Sequence, residues 1–449
     1  MCHTVIKLTS YIIIIFSILF SLIPYSFADF EFNGNFSYKA GAYTSQVPAQ
    51  NQFFHEFFLE PKISITSEKT SLHSTLWIRE NTADSGRRIP QIFRQDLDWI
   101  NEWYLLHENS IFEFRGGKQI FDWSFVDGIK PLDILNPKDF TEFINPKSLG
   151  VYSLSGSVFL KDFSLGFAVI PAFRSSQFNN DTHSRWFPFD RERSVSSTAQ
   201  AGSALLPIEY HLKTQIPETT EFAPQYALRV KHTLSWIDWG LFAYHGYDTL
   251  PTTITFIPVL NNNSNTVQTS VPIELDLEYH PITATGFGFS ESLGQVGVRG
   301  EASYTVTEDT KGISDTVDDP YVKYALGFDV SIGSIFSDHT LYLLCEFFQD
   351  LEIPNKGNHN TSEQRFNHLF QTMILSKIEY TVSERLQFFV EPKWGLKYHE
   401  FLLRSSITYS TSSGIKGILE FNTLNADPDS VLSHFRETSN IIFQLNYTY

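Results

Sequence analysis

The chain has 449 residues, a formal net charge of -17 and 15% aromatic residues. An acidic chain is a poor nucleic-acid ligand, because phosphate contacts call for a basic surface, so we expect no nucleic-acid partner. A polar, acidic balance combined with many Phe and Tyr side chains suits a β-protein with one apolar and one wet face. A soluble secreted β-protein is one form of this, and a membrane protein is the other.

The first residues predict a cleaved secretory signal. A short n-region, residues 1–7, precedes an apolar stretch at residues 11–25, and small residues precede Asp29 as signal peptidase requires. The apolar run is shorter than the ~20 residues that a spanning helix needs, which disfavours the alternative of an uncleaved anchor. We therefore expect residues 1–28 to be removed and residues 29–449 to form a single domain.

Alternation of apolar and polar residues is the main signal in the mature chain, and it predicts strands with one greasy and one hydrated face. The first segment alternates Phe32, Phe36 and Tyr38 with Glu31, Asn33, Ser37 and Lys39. The chain has no second long apolar stretch, and only helices and closed barrels satisfy every backbone group in lipid. Segments of ten or more residues also match the ~9–11 residues of a membrane strand. The prediction is an all-β, closed antiparallel transmembrane β-barrel.

The connections alternate between tight turns and longer loops, as is typical of outer-membrane barrels with short periplasmic turns and long extracellular loops. Counting segments predicts about 18 strands, within a range of about 14–18. The longest loops are the third, at 122–151, and the fourth, at 173–222. The stretch 252–280 is either one long loop or a loop that contains an extra hairpin.

The last residues form the strongest motif. Phe443, Leu445, Tyr447 and Tyr449 alternate with polar residues and end the chain on an aromatic side chain. This pattern resembles the C-terminal signal of bacterial outer-membrane proteins, which implies recognition by the barrel-assembly machinery. The alternative is an ordinary edge strand, which would leave a long apolar edge prone to aggregation.

The run from Arg115 to Gln119, followed by Trp123 and several aspartates, interrupts the strand pattern. Its Gly-(Arg/Lys)-Gln sequence with a following Trp and an Asp-rich loop resembles porin-like outer-membrane families, including alginate-export-type barrels. The resemblance covers about 25 residues and implies a channel. In porins the third loop commonly folds into the lumen, so residues 122–151 are the candidate constriction.

The candidate pore residues lie on the wall and on the third loop. They are Arg79, Glu102, Glu113, Arg115, Asp122, Asp127, Asp133 and Asp139. The wall charges either create a transverse field that selects solutes or neutralise one another in salt bridges. The loop aspartates lack the spacing of a calcium loop, and we expect turn-capping or solvated side chains and no metal site. Arg185 and Trp186 of the fourth loop either guide solutes or pack within the loop.

Two further patterns carry alternatives. The six residues Phe57–Lys62 recur as Phe388–Lys393 with one conservative change, and we expect the central proline to bulge each strand. No Gly-x-Ser-x-Gly or His-Glu-x-x-His motif is present, so we expect no enzyme, although a spatially assembled triad leaves no trace in one sequence.

Together these patterns predict a porin-like channel for passive diffusion of small hydrophilic or charged solutes, in the outer membrane of a Gram-negative bacterium. The expected partners are outer-membrane lipids, lipopolysaccharide, the assembly machinery and small solutes, with a homotrimer as an option and no cofactor. The alternative is a non-conducting barrel that acts as an adhesin, receptor or structural protein. An outer-membrane hydrolase is the third reading.

Overall fold

The computed structural model describes residues 29–46, 51–82, 99–141, 143–179, 185–186, 208–215, 223–251, 253–258, 271–311, 314, 317–335, 338–353 and 368–449. The predicted signal peptide, residues 1–28, lies outside these residues, as does much of loops 82–93 and 173–222. Residues 208–215, 253–258 and 271–276 are described by their backbone alone.

Eighteen antiparallel strands form one sheet, with the third strand interrupted at Trp77. The strands are β1 Asp29–Tyr43, β2 Phe53–Ser67, β3 Thr70–Leu76 with Ile78–Asn81, β4 Ile100–Glu108, β5 Phe112–Gln119, β6 Val151–Leu160, β7 Phe163–Ile170, β8 Gln225–Thr233, β9 Asp238–Tyr247, β10 Pro281–Leu293, β11 Val296–Thr307, β12 Tyr321–Gly333, β13 Thr340–Glu352, β14 Thr372–Ser383, β15 Leu386–Gly395, β16 Glu400–Ser410, β17 Ile415–Asn425 and β18 Asn440–Thr448. Each strand pairs with its sequence neighbours. The predicted strand number is confirmed.

The sheet closes through its first and last strands. β1 pairs with β18 from Asn35 opposite Thr448 to Tyr43 opposite Asn440. Gly34 and Tyr449 exchange two further backbone hydrogen bonds of 3.1 Å. The fold is therefore a closed barrel, and the alternative reading of the C-terminal segment as an edge strand is wrong, because β18 is paired on both sides.

The outer face of the barrel is apolar on most strands. Its exposed side chains include Phe32, Phe57, Phe114, Leu154, Leu165, Leu228, Leu241, Phe287, Leu326, Phe328, Ile407, Leu419, Phe443 and Tyr447. Exposed apolar side chains of this extent fit lipid better than water. No helix in the described ranges is long and apolar enough to cross a membrane.

The connections follow the predicted alternation. Tight turns join pairs such as β2–β3 and β6–β7, where Glu68 and Lys161 take left-handed backbone angles, with φ of 49° and 55°. Long segments join the strands at the other rim, with one short exception between β15 and β16. In the stretch 252–280, Thr253–Pro258 and Val271–Glu278 pair as a hairpin outside the barrel sheet, and Ile208–Gln215 of loop four joins them in parallel.

The two repeated prolines interrupt the sheet without bulging it, so the predicted bulges are wrong. On the β3 side of Pro61, the pairing stops after Lys62 opposite Thr75 and resumes at Leu59 opposite Ile78 in the same register. Pro392 likewise falls in a gap of the β14–β15 pairing, and the register continues beyond it. Proline removes a ladder hydrogen bond, and here the neighbouring strand loses pairing while the residue count stays matched.

Candidate functional site

Loop three, the connection from β5 to β6 at residues 120–150, reaches the far wall of the barrel. Glu301, on β11, accepts hydrogen bonds from the backbone N–H groups of Phe125 and Leu132 at 2.7 and 3.0 Å, and from the Ser124 hydroxyl at 2.8 Å. Because β11 lies six strands away from β5 around the barrel, this segment crosses the lumen.

A second carboxylate holds the next part of loop three. Glu346, on β13, accepts from the backbone N–H groups of Asp127 and Gly128 at 2.9 and 2.6 Å. Arg299, on β11, donates to Asp127 at 2.6 Å and also bonds Asp329 of β12. Each of these two carboxyl groups accepts at least two hydrogen bonds from loop three, so the two glutamates fix the position of the loop.

Loop three also packs on a wall of small residues. The inner positions of β8, β9 and β10 include Ala227, Gly240, Ala284, Gly286 and Gly288, and both alanines are fully buried. A Cβ at Gly288 would lie 2.3 Å from the Phe125 ring, and one at Gly286 would lie 2.3 Å from Leu132. The absence of side chains at these positions makes room for the two loop residues.

The lumen near the long-loop rim contains a larger apolar cluster. Phe140 and Phe143 stack at 5.4 Å between ring centroids, and Phe143 stacks on Phe435 at 4.6 Å. Phe435 belongs to the 3-10 helix Val431–Thr438, which precedes β18. Inward side chains such as Phe348 and Met373, which are 2% and 1% exposed, complete the cluster. Loop three therefore has apolar contacts with both sides of the barrel.

Arg185 and Trp186 of loop four lie at the seam between β1 and β18. The Arg185 guanidinium donates to the backbone oxygens of Ser45 and Glu437 at 3.1 and 2.9 Å, and burial lowers its pKa. The Trp186 indole N–H donates to the Tyr43 hydroxyl at 3.2 Å. Since loop four leaves the barrel at β7, these contacts carry it across the mouth. Arg191 and Arg193 of the same loop lie outside the described residues.

The predicted wall charges are paired with nearby groups. Arg79 contacts Glu56 at 2.6 Å and donates to the Thr141 hydroxyl of loop three at 3.0 Å. Arg115 contacts Glu113, two residues away on its own strand, at 2.9 Å. Glu102 accepts from the backbone N–H of Ile120 at 3.1 Å, at the start of loop three. This geometry favours mutual neutralisation over a free transverse field.

The four predicted loop aspartates have separate partners. Asp122 is exposed and lies 3.6 Å from the Lys130 ammonium, whereas Asp127 bonds Arg299. Asp133 accepts from the Asn136 amide at 2.5 Å and pairs with Lys138, and Asp139 accepts from the backbone N–H of Thr141 at 3.0 Å. Among the described residues no group of three or more His, Cys, Asp or Glu side chains could hold a metal ion.

A buried ionic cluster at the long-loop rim joins two loops to the wall. His368 of the β13–β14 connection is 1% exposed and contacts Asp350 of β13 at 2.8 Å and Asp318 of the preceding loop at 3.7 Å. Burial lowers the pKa of His368, but the two carboxylates outweigh it and raise the pKa to about 10. His368 is therefore charged at neutral pH.

Sequence reasoning missed the groups that hold loop three, namely Glu301, Glu346 and Arg299. A signal for them was present on β10, where the inner face carries Ile282, Ala284, Gly286 and Gly288 instead of polar residues. An inner wall without polar side chains indicates that another part of the chain covers it. The partner segment itself was not identifiable, because the contacts join residues more than 160 positions apart.

No protein-family model matches the chain, and no curated protein matches it either. Several solved structures of outer-membrane proteins are similar in fold. One is a loop-deletion mutant of OmpT, an outer membrane protein of Vibrio cholerae, with a TM-score of 0.39, 10% identity, and coverage of 94% of this chain and 99% of that one. A mutant of the Rh. blastica porin has a TM-score of 0.43 and 9% identity, with coverage of 94% of this chain and 100% of that one. A BenF-like porin from Pseudomonas fluorescens has a TM-score of 0.47 and 9% identity, with coverage of 94% of this chain and 98% of that one.

Proposed function

We propose that this chain is an outer-membrane channel for passive diffusion of small hydrophilic or charged solutes, narrowed by loop three. The observation that carries the proposal is the set of backbone N–H groups of loop three that bond Glu301 and Glu346 across the lumen. A loop that is held in a fixed position across the lumen would narrow the passage to an opening of defined size. The proposed activity is transport alone, with no catalytic step.

The inner wall suits hydrated solutes. Several of its charges form pairs two residues apart on one strand, including Lys62 with Glu60 at 3.0 Å and Lys377 with Glu379 at 2.7 Å. Such pairs keep the wall polar and wet while cancelling most of its local charge. A passage lined in this way would be wet and would admit small hydrated solutes.

The proposed location follows from the same features. After removal of residues 1–28, the apolar outer face would sit in the outer membrane of a Gram-negative bacterium, in contact with lipids and lipopolysaccharide. Phe443, Leu445 and Tyr447 face outward on β18, where the assembly machinery would meet them, and Tyr449 ends the chain. A homotrimer and the alginate-export resemblance of the Gly117–Gln119 region remain proposals.

Release of loop three tests the function. We expect the double variant Glu301→Gln and Glu346→Gln, refolded as residues 29–449, to give larger and noisier single-channel steps in a planar bilayer. An increase of roughly twofold is expected, because conductance follows the open cross-section. Glu379→Gln is the matched control, since Glu379 faces inward but bonds Lys377 on its own strand. Equal steps in all three proteins would contradict the assignment of loop three as the constriction.

A non-conducting barrel is the second candidate, and the apolar cluster around Phe143 and Phe435 favours it. Together with the Arg185 contacts at the seam, this cluster covers much of the extracellular lumen. A folded wild-type protein that is silent in the bilayer, with current appearing in neither variant, would support this second function. Loop four would then be the contact surface for a ligand or host partner.

A further inference from the structure

Arg229, on the inner face of β8, differs from the other arginines of the wall. Within the described residues the barrel strands carry five arginines, Arg79, Arg115, Arg229, Arg299 and Arg404. Four of them contact a carboxylate, on Glu56, Glu113, Asp329 and Glu420 in that order. In the same part of the chain, Arg229 has no carboxylate at ion-pair distance. Asp122 and Glu301 act on Arg229 electrostatically from beyond that distance.

Two rings of loop three hold the Arg229 guanidinium. Its Cζ atom lies 5.9 Å from the centroid of the Trp123 ring and 5.7 Å from that of the Phe125 ring. Both rings are fixed, because Trp123 packs edge-on against Phe242 and the Phe125 backbone bonds Glu301. A guanidinium that packs on aromatic rings keeps in-plane N–H donors, and these match the two oxygens of a carboxylate.

Charged groups of both signs surround Arg229. Lys231 follows two positions along the same inner face and lies 3.8 Å from Asp238, while Lys130 lies 3.6 Å from Asp122. With Glu301, these groups make three cations and three carboxylates, so their formal charges balance. Lys130 and Lys231 each have a carboxylate at ion-pair distance, so among these three cations Arg229 is the one whose guanidinium can take a further anionic partner.

We propose that Arg229 is a specificity-determining residue that binds the carboxylate group of small organic acids as they pass loop three. This inference rests on the proposed channel function and names its substrate class. The aromatic pair positions the guanidinium, and the transported carboxylate supplies the ion-pair partner that the described residues do not provide. Binding at a single group is weak enough for release, which passage requires.

The test measures how acetate, the smallest suitable carboxylate, slows the chloride current of the refolded mature chain. We expect acetate to block the wild type, and Arg229→Gln to raise the half-blocking concentration roughly tenfold, the usual effect of losing a charged hydrogen bond. Arg229→Lys, which keeps the charge but loses the planar fork, should lie between the two. Acetamide, which has the same shape without the charge, should block none of them.

Arg404→Gln is the matched control, because Arg404 also faces inward but is paired with Glu420. Folding of each variant is checked by heat-modifiable migration on a gel. An acetate block that is unchanged in Arg229→Gln, with chloride current present, would overturn the role of Arg229 and leave the channel standing. Absence of chloride current in every folded protein would instead overturn the channel function, and the role of Arg229 with it.

Discussion

At the scale of single residues, buried charge decides how the loops are attached. Glu301, Glu346 and Glu400 are 3%, 2% and 1% exposed. The first two accept hydrogen bonds from the backbone of loop three, and Glu400 accepts one from the Ser430 hydroxyl of the β17–β18 connection at 2.8 Å. A buried carboxylate without such donors is costly, so each of these glutamates requires its loop to be in place. The stability of each loop therefore depends on the buried carboxyl group to which it bonds.

His368 provides a pH prediction at this scale. In the unfolded chain the pKa of His368 returns towards 6.5, whereas in the folded protein it is raised to about 10. The charged contact with Asp350 and Asp318 thus stabilises the rim fully below pH 6.5, and this stabilisation falls as pH rises towards 10. We expect rim amides near His368 to exchange faster with solvent across this window.

The measurement is hydrogen exchange as a function of pH, corrected for intrinsic exchange rates, together with an NMR titration of His368. The variant Asp350→Asn should lower the pKa of His368, because it removes one of the carboxylates that raise it. A His368 that titrates near its ordinary value in the wild type would contradict the cluster as described.

At the scale of elements, the pattern within one strand fixes which face is which, but the identity of its inner residues depends on what covers them. β10 shows this, since the absence of side chains at Gly286 and Gly288 leaves room for Leu132 and Phe125 of loop three. A strand facing an open, wet lumen would be expected to carry polar side chains there. The strand and the loop are complementary parts of one packing unit.

Gly288→Val tests this complementarity. The new side chain would collide with the Phe125 ring, which must move and take loop three with it. Overpacking of this kind costs about 1–3 kcal/mol of folding free energy, and we expect a lower thermal midpoint and noisier channel steps. Gly166→Ala is the control, because its Cβ would meet its nearest atom at 3.4 Å, an ordinary contact. Identical behaviour of the two variants would count against loop three packing on this wall.

The last strand carries a second prediction at this scale. Tyr447 is 43% exposed on the outer face of β18, and Tyr449 bonds Gly34 through its backbone. We expect the double change of these tyrosines to serine to reduce folded barrel in the outer membrane of a Gram-negative host by about tenfold, while refolding in detergent is little affected. This difference would identify recognition during assembly, as distinct from stability.

The control for that experiment is Ile415→Ser, at a comparably exposed outer position on β17. Equal losses for the terminal tyrosines and for Ile415, both in cells and in detergent, would show a general cost of polar groups on the lipid face. The terminal residues would then have no special role in assembly.

At the scale of the whole molecule, loops three and four connect strands that are far apart around the barrel. Loop three joins β5 to the β11–β13 wall, and Arg185 joins loop four to the β1–β18 seam. Arg185→Ala should leave the Ser45 carbonyl without this donor, while the Glu437 carbonyl keeps the Ser45 hydroxyl at 3.0 Å, so we expect a cost of about 1 kcal/mol. The mouth should then open more often.

We expect this opening to give a higher single-channel conductance when ions enter from the extracellular side, and faster hydrogen exchange at residues 44–46. Lys161→Ala is the control, since the Lys161 side chain is 89% exposed in a tight turn at the opposite rim. If conductance and exchange are unchanged in Arg185→Ala, the loop is held by its apolar contacts and the guanidinium is dispensable.

The sequence alone determined the barrel. Alternation in segments such as Phe32–Lys39, tight turns at one rim and the aromatic final strand are local features, and a closed sheet is the only strand arrangement that satisfies its backbone in lipid. Arg79, Glu102, Glu113 and Arg115 lie on barrel strands, as the alternation predicts, and their role in a pore is a proposal.

The tertiary structure decided what the lumen contains. The bonds of loop three to Glu301 and Glu346, the glycine wall under Phe125 and the isolated guanidinium of Arg229 all join residues far apart in the chain. No periodicity encodes such pairs, because a strand pattern specifies the face of a residue and not its partner. Which inward groups are paired and which are open to a solute is therefore settled only when the loops fold into the barrel.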